Sequence, residues 1–197
     1  MKLRLLVATL LTLIGSSLAE NTNFQLETTG GKQLVQFISD APLEKIVGRT
    51  SAASGSLSLD LSSLTTGAGG TIRVDLRELD TGLSLRNQHM RENHLHTNEY
   101  PQAVFTVTSV VSAEPSNISG GGTAHTLLRG ELELHGVKKQ YEMLGTISYD
   151  SATGKLTGRY KWNVLLQDHQ IPRPEFLFMK LSETQQITVE LEFSKSK

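Results

Sequence analysis

The residues best suited to chemistry lie in one short stretch, LRNQHMRENHLHTNEYPQAVF, which runs from Leu85 to Phe105. Three of the six histidines, His89, His94 and His96, fall inside it beside two glutamates. Imidazole and carboxylate groups bind zinc, but a zinc site needs three or four of them in a fixed geometry. The spacing matches no specific metal motif, which favours a solvated loop whose histidines bond to backbone groups. A metal-dependent enzyme is the less favoured alternative.

The rest of the chain carries no catalytic motif. Cysteine is absent, which excludes both thiol catalysis and a disulfide framework. The glycines at 67–70 join two predicted strands, so the strand-to-helix turn of a phosphate-binding loop is missing. Asp168 and His169 are adjacent, but no nucleophile can be placed near them, and we interpret them as turn residues. We therefore expect a non-enzymatic protein with no cofactor and no metal.

The first nineteen residues have the order of a secretory signal. Lys2 and Arg4 precede an apolar run over residues 5–14, and small residues follow up to Ala19. The run is too short to span a bilayer as a helix. We expect cleavage after Ala19, a periplasmic or secreted product without a transmembrane segment, and a single domain over residues 20–197. The formal net charge is −1 and no basic cluster occurs, which argues against nucleic-acid binding.

Apolar and polar side chains alternate with a period of two through most of this domain. TIRVDLREL (71–79), LRGELELHG (128–136), YEMLGTISYD (141–150) and QITVELEF (186–193) are clear examples. Successive side chains of a strand point to opposite faces, so these segments are predicted to be antiparallel strands with one apolar face. Turns rich in glycine and small polar residues separate about eight or nine of them. Such a sheet closes into a barrel or folds into a sandwich, and the pattern alone does not decide between the two.

The alternation is lost over SLRNQHMRENHL, residues 84–95, where good helix formers predominate. Ser84 suits the amino-terminal cap of a helix, and Asn93 suits the left-handed position just past its end. Pro101 restricts Tyr100 to extended geometry and begins the next strand. The sequence therefore predicts a short helix inserted between two strands, at one rim of the sheet.

Glycines and aromatic residues on the apolar rows bear on how well the interior is filled. Gly130 and Gly145 lie on rows predicted to face inward, and we expect them to leave the lumen of a barrel incompletely filled. Trp162, the only tryptophan, shares a face with Val164. A lumen with apolar gaps favours a hydrophobic guest, since each buried methylene contributes about 0.8 kcal/mol. An interaction or stress-response protein whose barrel is filled by its own side chains is the alternative.

Three motifs together resemble the YceI-like family of polyisoprenoid-binding proteins. They are the set Arg86, His89, Met90, Arg91, Tyr100, Pro101 and Phe105; the segment GELELHGVKK (130–139); and the segment WNVLLQDHQIPRP (162–174). The resemblance extends from about Lys32 to Phe193. One departure is Asn87, at a position where the family usually has aspartate.

The resemblance implies an all-β protein: a single extended, lipocalin-like antiparallel barrel of about eight strands, with a short helix at one rim. It also implies an exported, non-enzymatic protein whose lumen holds an isoprenoid or another long-chain amphiphilic lipid, and it leaves a homodimer open. The predicted lumen contacts are Ile72, Val74, Phe105, Leu132, Leu134, Ile147, Trp162, Val164 and Phe178.

The predicted rim contacts are Arg86, His89, Met90, Arg91 and Leu95, on the helix that acts as a lid. Arg86 and Arg91 are expected to contact a polar or phosphate head group. Met90 and Leu95 are expected to meet the tail. For Arg86 and His89, the alternative is that they only fix the helix to the rim.

Overall fold

The structure is a computed structural model that describes residues 20–28, 32–41, 44–176 and 179–196. The predicted signal segment, residues 1–19, and the predicted lumen residue Phe178 lie outside the described residues. The described strands are β1 (Thr22–Leu26), β2 (Gln33–Asp40), β3 (Lys45–Thr50), β4 (Ala53–Leu59), β5 (Gly69–Asp75), β6 (Gln102–Glu114), β7 (Gly122–Leu134), β8 (Val137–Asp150), β9 (Lys155–Leu165), β10 (Glu175–Phe176), β11 (Met179–Lys180) and β12 (Thr184–Lys195). The helical elements are α1 (Ser84–His89), a π-helical turn (Met90–His94) and the 3-10 turns Leu76–Glu78 and Gln167–His169.

Eight strands form a closed antiparallel barrel, in the order β1-β4-β5-β6-β7-β8-β9-β12, and β12 pairs back onto β1. This closure brings residues near the two ends of the described chain together, with Phe24 opposite Lys195 and Leu26 opposite Phe193. The prediction of an all-β barrel of about eight strands with one short helix is confirmed, and the sandwich is excluded.

The remaining strands extend the barrel wall at one end. β2 pairs with β12 over Gln185–Leu191, directly beyond the β1 pairing, and β3 pairs with β2. Asp80, which follows β5 and the first 3-10 turn, forms an isolated antiparallel bridge with Arg49 of β3. β10 and β11 form a separate two-stranded hairpin. No helix in the described ranges is both long and apolar enough to cross a bilayer.

One end of the barrel is closed by buried apolar side chains. Phe24, Leu59, Leu156 and Phe193 are each at most 1% exposed and belong to a single apolar cluster. Ile118, from the loop between β6 and β7, joins the same cluster, and its backbone N–H donates to the carbonyl of Leu61 at 2.8 Å. Because this loop folds over the strand ends, it closes the barrel at what we call the packed end.

The opposite end carries α1 and the π-helical turn, which together form the lid (residues 84–94). The expected capping role of Ser84 is wrong: Leu83 occupies the cap position, no side chain bonds there, and Ser84 lies inside the helix. Asn93 is not left-handed either, because the π-helical turn carries the helical backbone through it. His96, two residues past the lid, takes the left-handed conformation with a φ of 45°.

Asn87, inside α1, bonds the helix to the segment that precedes it. Its Oδ1 accepts hydrogen bonds from the backbone N–H and the hydroxyl of Thr81, at 2.8 and 2.7 Å. Its Nδ2 donates to Oδ1 of Asp80 at 2.7 Å. An aspartate at position 87 would place a second carboxylate against that of Asp80, and the two negative charges would repel each other. The amide of Asn87 donates a hydrogen bond to Asp80 instead.

Candidate functional site

An apolar cavity of about 750 Å³ lies inside the barrel and reaches the lid. Small-molecule sites usually measure roughly 300–1,000 Å³ and are lined mainly by apolar side chains. Inward-facing residues from every strand of the closed ring except β1 contribute to the wall, and so do residues of β2 and β3. Leu83 and Leu85 also line the cavity although they are 57% and 65% exposed. The cavity therefore opens to solvent beside α1.

The structure brings eight of the nine predicted lumen residues together around this cavity. They are Ile72, Val74, Phe105, Leu132, Leu134, Ile147, Trp162 and Val164. The alternation of the strands explains this placement, since residues two apart share the inward face. Phe178, the ninth, lies outside the described residues. Contact between these side chains and a ligand remains a prediction.

Alternation in the sequence also marks lining residues that our predicted set of lumen contacts left out. They include Leu57, Val107, Leu128, Met143, Tyr160, Ile187 and Val189. Ile171, Pro174 and Leu181 come from the segment between β9 and β12, where no periodic pattern marks them. Only their proximity to the lid in the folded chain makes them part of the site.

Four of the five predicted rim residues, Arg86, His89, Met90 and Leu95, line the cavity. Arg91 is not among the lining residues. Its Nη2 instead donates to the backbone carbonyl of Leu79 at 3.2 Å, which ties the lid to the segment that precedes it.

The expectation that Gly130 and Gly145 leave gaps in the lumen is wrong. A Cβ at Gly130 would lie 2.6 Å from Cε1 of Phe105, and one at Gly145 would lie 2.7 Å from Cε1 of Tyr160. Both distances are far below van der Waals contact, because the aromatic rings already occupy the space that the missing side chains leave. The cavity is bounded by these rings and is not created by the glycines.

Two aromatic rings meet across the interior. Phe105 is on β6 and Trp162 is on β9, which is the third strand along from β6 in the barrel. Their ring centroids are 6.4 Å apart with an interplanar angle of 45°. The pair therefore narrows the cavity in its middle, between the packed end and the lid.

Arg86 is the only lysine or arginine that lines the described cavity, and its charge is compensated within the protein. Nη1 forms an ion pair with Glu44 at 3.2 Å. Nε donates to the hydroxyl of Thr81 at 3.0 Å, and Nη2 donates to the carbonyl of the same residue at 2.8 Å. These bonds hold the lid against the barrel rim, and contact between Arg86 and a head group remains a prediction.

The histidines of the lid region make separate contacts and do not converge. Nδ1 of His94 is 2.9 Å from the carbonyl of Pro172, and Nδ1 of His96 is 2.8 Å from Nε2 of His135. His89 lines the cavity. In the part of the chain that the structure describes, no three histidine, cysteine, aspartate or glutamate side chains are grouped to hold a metal ion.

His169 has a role that the sequence did not indicate. We interpreted it as a turn residue, but its side chain is fully buried. Nδ1 lies 3.1 Å from the carbonyl of Val137, and Nε2 lies 2.9 Å from the hydroxyl of Tyr141. A carbonyl only accepts, so Nδ1 donates and Nε2 accepts from the tyrosine. Burial lowers the pKa of His169 below its ordinary value of 6.5, so the neutral form is favoured.

Comparison with solved structures identifies the same fold in three bacterial proteins. A polyisoprenoid-binding domain from Saccharophagus degradans, implicated in plant cell wall breakdown, is 16% identical with a TM-score of 0.65, covering 90% of this chain and 100% of that one. Burkholderia cenocepacia BcnA is 15% identical with a TM-score of 0.70, covering 85% and 98%. A Campylobacter jejuni YCEI protein is 15% identical with a TM-score of 0.59, covering 76% and 84%.

Sequence comparison gives the family. No curated protein matches the chain in sequence. The model of the YceI-like domain, however, matches residues 26–193. This range includes β4 to β9 in full, β12 as far as Phe193, and Leu26 of β1. The chain belongs to the YceI-like family.

Proposed function

We propose that this protein is a non-enzymatic binding protein that holds a polyisoprenoid or a similar long-chain amphiphilic lipid in the barrel cavity. It would transport, store or sequester that lipid outside the cytoplasm. The proposal of export rests on the predicted signal segment alone. The proposed lipid class is supported by the cavity and by the family, in which the related Saccharophagus degradans domain is described as polyisoprenoid-binding.

The observation that carries the proposal is the apolar wall of the cavity. Its middle is formed by half-buried side chains such as Phe105, Trp162, Ile187 and Val189, whose remaining exposed surface lines the lumen. Transfer of a hydrocarbon chain from water to such a wall is favourable by about 0.8 kcal/mol for each buried methylene. A long apolar chain therefore gains most of its binding free energy here without any charged contact.

Four polar side chains of the cavity lie where a head group would remain. Ser84, Arg86, His89 and His94 belong to the lid, next to the opening marked by Leu83 and Leu85. An amphiphile with its tail toward the packed end would keep its polar end among these side chains. The arrangement supports an amphiphilic ligand over a pure hydrocarbon.

A barrel filled by its own side chains was the alternative, and it requires that no space of ligand size remain inside. The cavity of about 750 Å³ favours the lipid carrier over this alternative.

The direct test is native mass spectrometry of the purified protein, followed by organic extraction and identification of the bound lipid. We expect a bound long-chain amphiphile at one per chain. Repeated preparations that contain no lipid, and that take none up from detergent micelles, would contradict the proposal.

A pair of variants on one strand makes the test specific to the lumen. Val189 lines the cavity, whereas its neighbour Thr188 does not and pairs with the exposed Lys161. Val189→Trp is expected to fill the cavity and abolish lipid uptake, while Thr188→Trp is expected to leave uptake unchanged. Equal uptake by the two variants would place the lipid outside the barrel.

A further inference from the structure

Two histidines bond to each other where the chain leaves the lid. Nδ1 of His96 lies 2.8 Å from Nε2 of His135, and the two ring centroids are 5.0 Å apart. His135 belongs to the turn between β7 and β8, and its Nδ1 lies 3.0 Å from the backbone carbonyl of His169. Both rings are half-buried. This histidine pair (His96 and His135) therefore joins the carboxyl end of the lid to the β7–β8 hairpin.

The distances determine which nitrogens carry hydrogen when both rings are neutral. A carbonyl only accepts, so Nδ1 of His135 donates to that of His169, and Nε2 of the neutral ring accepts from Nδ1 of His96. A first added proton can bind to Nε2 of His96 without loss of the bond. A second proton must go to Nε2 of His135, where two N–H groups would face each other at 2.8 Å on two positively charged rings. The bond is therefore incompatible with the doubly protonated pair.

His135 is the fixed member of the pair. His135 and Gly136 form the two-residue turn of the hairpin, with φ of 53° and 73°, and turns with positive φ at both positions match the twist of paired strands. The ring of Tyr100 packs against this turn. Its centroid is 4.8 Å from that of His135, and a Cβ at Gly136 would lie 2.7 Å from its Cε1. His96 is on the segment that carries the lid, so a broken bond releases the lid side.

The two ends of the lid are held by different chemistry. Arg86, Asn87 and Arg91 hold its amino-terminal and middle parts through bonds that involve no histidine. The carboxyl end is held by the histidine pair and by Nδ1 of His94, which lies 2.9 Å from the carbonyl of Pro172. Burial lowers the pKa of His94 below 6.5, so protonation there also favours a form in which this ring reaches water.

The groups around the histidine pair do not offset a second positive charge. Glu133 of β7 forms an ion pair with Lys138 of β8, and Asp168 and Lys139 act on His169 with opposite signs. The other ionisable side chains of the lid and of the elements packed against it are His89, Arg91, Glu92, His94, Glu99, Tyr100, Tyr141 and Arg173. Among the described residues, neither ring of the pair forms an ion pair with a carboxylate.

We propose that the histidine pair is an acid-sensitive latch: when both rings are protonated, the carboxyl end of the lid separates from the β7–β8 hairpin and the opening of the cavity widens. The lid stays attached at its amino end through Arg86 and Asn87. Histidine ordinarily takes up a proton at about pH 6.5, and the second proton on two interacting rings binds at lower pH, so the opening is expected between about pH 6 and pH 4. This motion of the lid lies beyond the proposed function and does not depend on what the cavity binds.

The distance between two spin labels tests the latch. The chain contains no cysteine, so the labels attach only to introduced cysteines. Asn93→Cys places one label on the exposed side of the lid, and Gln140→Cys places the other on the exposed side of β8. Double electron–electron resonance on the full chain without added ligand is expected to give one distance at pH 7.5 and a longer distance for most molecules at pH 4.5. A reference pair, Gln140→Cys with Lys161→Cys of β9, should keep its distance.

Asparagine variants of the pair remove its titration and keep its backbone. His96 has a φ of 45° and His135 a φ of 53°, and asparagine tolerates this left-handed conformation. In His96→Asn and in His135→Asn, most of the change between pH 7.5 and pH 4.5 is expected to be lost. The double variant His94→Asn with His135→Asn is expected to lose the rest. His125→Asn, on the exposed face of β7, is the matched control and should keep the full change.

A single distance down to pH 4.5 in wild-type protein would overturn the latch, and so would a full change with pH in both asparagine variants of the pair. Lengthening of the reference pair together with the lid pair would overturn it as well, because that result indicates acid unfolding of the barrel. In each of these cases the proposed function stands, since lipid extraction tests it separately.

Discussion

The ring of Phe105 lies over Gly130 of the neighbouring strand, where it occupies the space that a side chain at position 130 would need. Phe105 is directly opposite Leu132 in the β6–β7 pairing, so it reaches Gly130 diagonally. Tyr160 covers Gly145, its direct partner on β8, in the same manner. A glycine in a strand has no side chain to pack against its neighbours. An aromatic ring from the next strand fills that space in both places.

Gly130→Ala is therefore expected to destabilise the protein by about 1–3 kcal/mol, since the added methyl group collides with Phe105 and with the carbonyl of Thr106. Urea unfolding followed by circular dichroism measures the effect. Gly69→Ala in β5 is the control, because a Cβ there meets nothing within 4 Å. Equal stability of the two variants would show that the ring moves aside without cost.

Trp162 is the only tryptophan and lines the cavity, so its fluorescence should report occupancy. Addition of a long-chain alcohol is expected to change both the intensity and the emission maximum, because the ligand displaces solvent from the ring. The control moves the single tryptophan to the outer face, in the double variant Trp162→Phe with Leu144→Trp. Leu144 is 73% exposed, and a tryptophan there should not respond. A response from the outer position would point to surface adsorption.

Tyr160 and Thr126 share a hydroxyl–hydroxyl bond of 2.7 Å, and Thr126 is only 2% exposed. Tyr160→Phe leaves the threonine hydroxyl buried without this partner and is expected to cost about 1–3 kcal/mol of unfolding free energy. The double variant with Thr126→Val removes both polar groups and should recover part of that loss. If the loss of unfolding free energy in the double variant equals the sum of the losses in the two single variants, the hydrogen bond does not account for the instability of Tyr160→Phe.

The buried position of Tyr160 also predicts alkaline behaviour. Burial raises the pKa of its hydroxyl to about 12, above the ordinary value of 10.0. The stabilisation from the neutral folded form is complete below pH 10 and is lost as the pH rises through the folded-state pKa, because the unfolded chain ionises first. Spectrophotometric titration near 295 nm should show this delayed ionisation in wild-type protein, and Tyr160→Phe should reduce its amplitude. Part of it should remain, because burial also raises the pKa of Tyr141 to about 12.

His169 predicts the opposite dependence in acid. Its pKa is lowered chiefly by burial, while Lys139 lowers it further and Asp168 raises it. The unfolded chain therefore binds a proton near pH 6.5 that the folded chain takes up only at lower pH. Stability is complete above this value and falls as the pH drops below it, with a slope of at most about 1.4 kcal/mol per pH unit for one proton.

Urea unfolding at several pH values between 8 and 5 measures that slope. His169→Asn is expected to be less stable at every pH and to show a smaller slope. His94, whose pKa is also lowered by burial, contributes in the same direction, so His94→Asn is the comparison. An unchanged slope in both variants would assign the acid sensitivity to other groups.

The strands and the inward rows of residues were predictable because each depends only on local alternation. LRGELELHG, for instance, places Leu132 and Leu134 on one face of β7, and both line the cavity. Closure of the barrel depends on pairing between β1 and β12, which stand at opposite ends of the domain. No local pattern records such a pairing, and this is why barrel and sandwich could not be separated by periodicity.

The errors have a common origin in contacts between distant segments. The gaps predicted at Gly130 and Gly145 are filled from neighbouring strands, which the sequence of one strand does not reveal. The start of the lid has no side-chain cap, and Asn87 instead bonds to Thr81 ahead of the helix. His169 is buried because Tyr141 and Val137 of β8 fold against it.

The cavity is closed at the packed end and opens at the lid end. Among the described residues the cavity opens beside α1, so a lipid bound as proposed would enter there tail first and leave head first. Phe193 lines the cavity at the packed end, so a tail longer than the lumen would have to double back or protrude. In the proposed complex, the polar end of the lipid would then stay at the surface, beside α1.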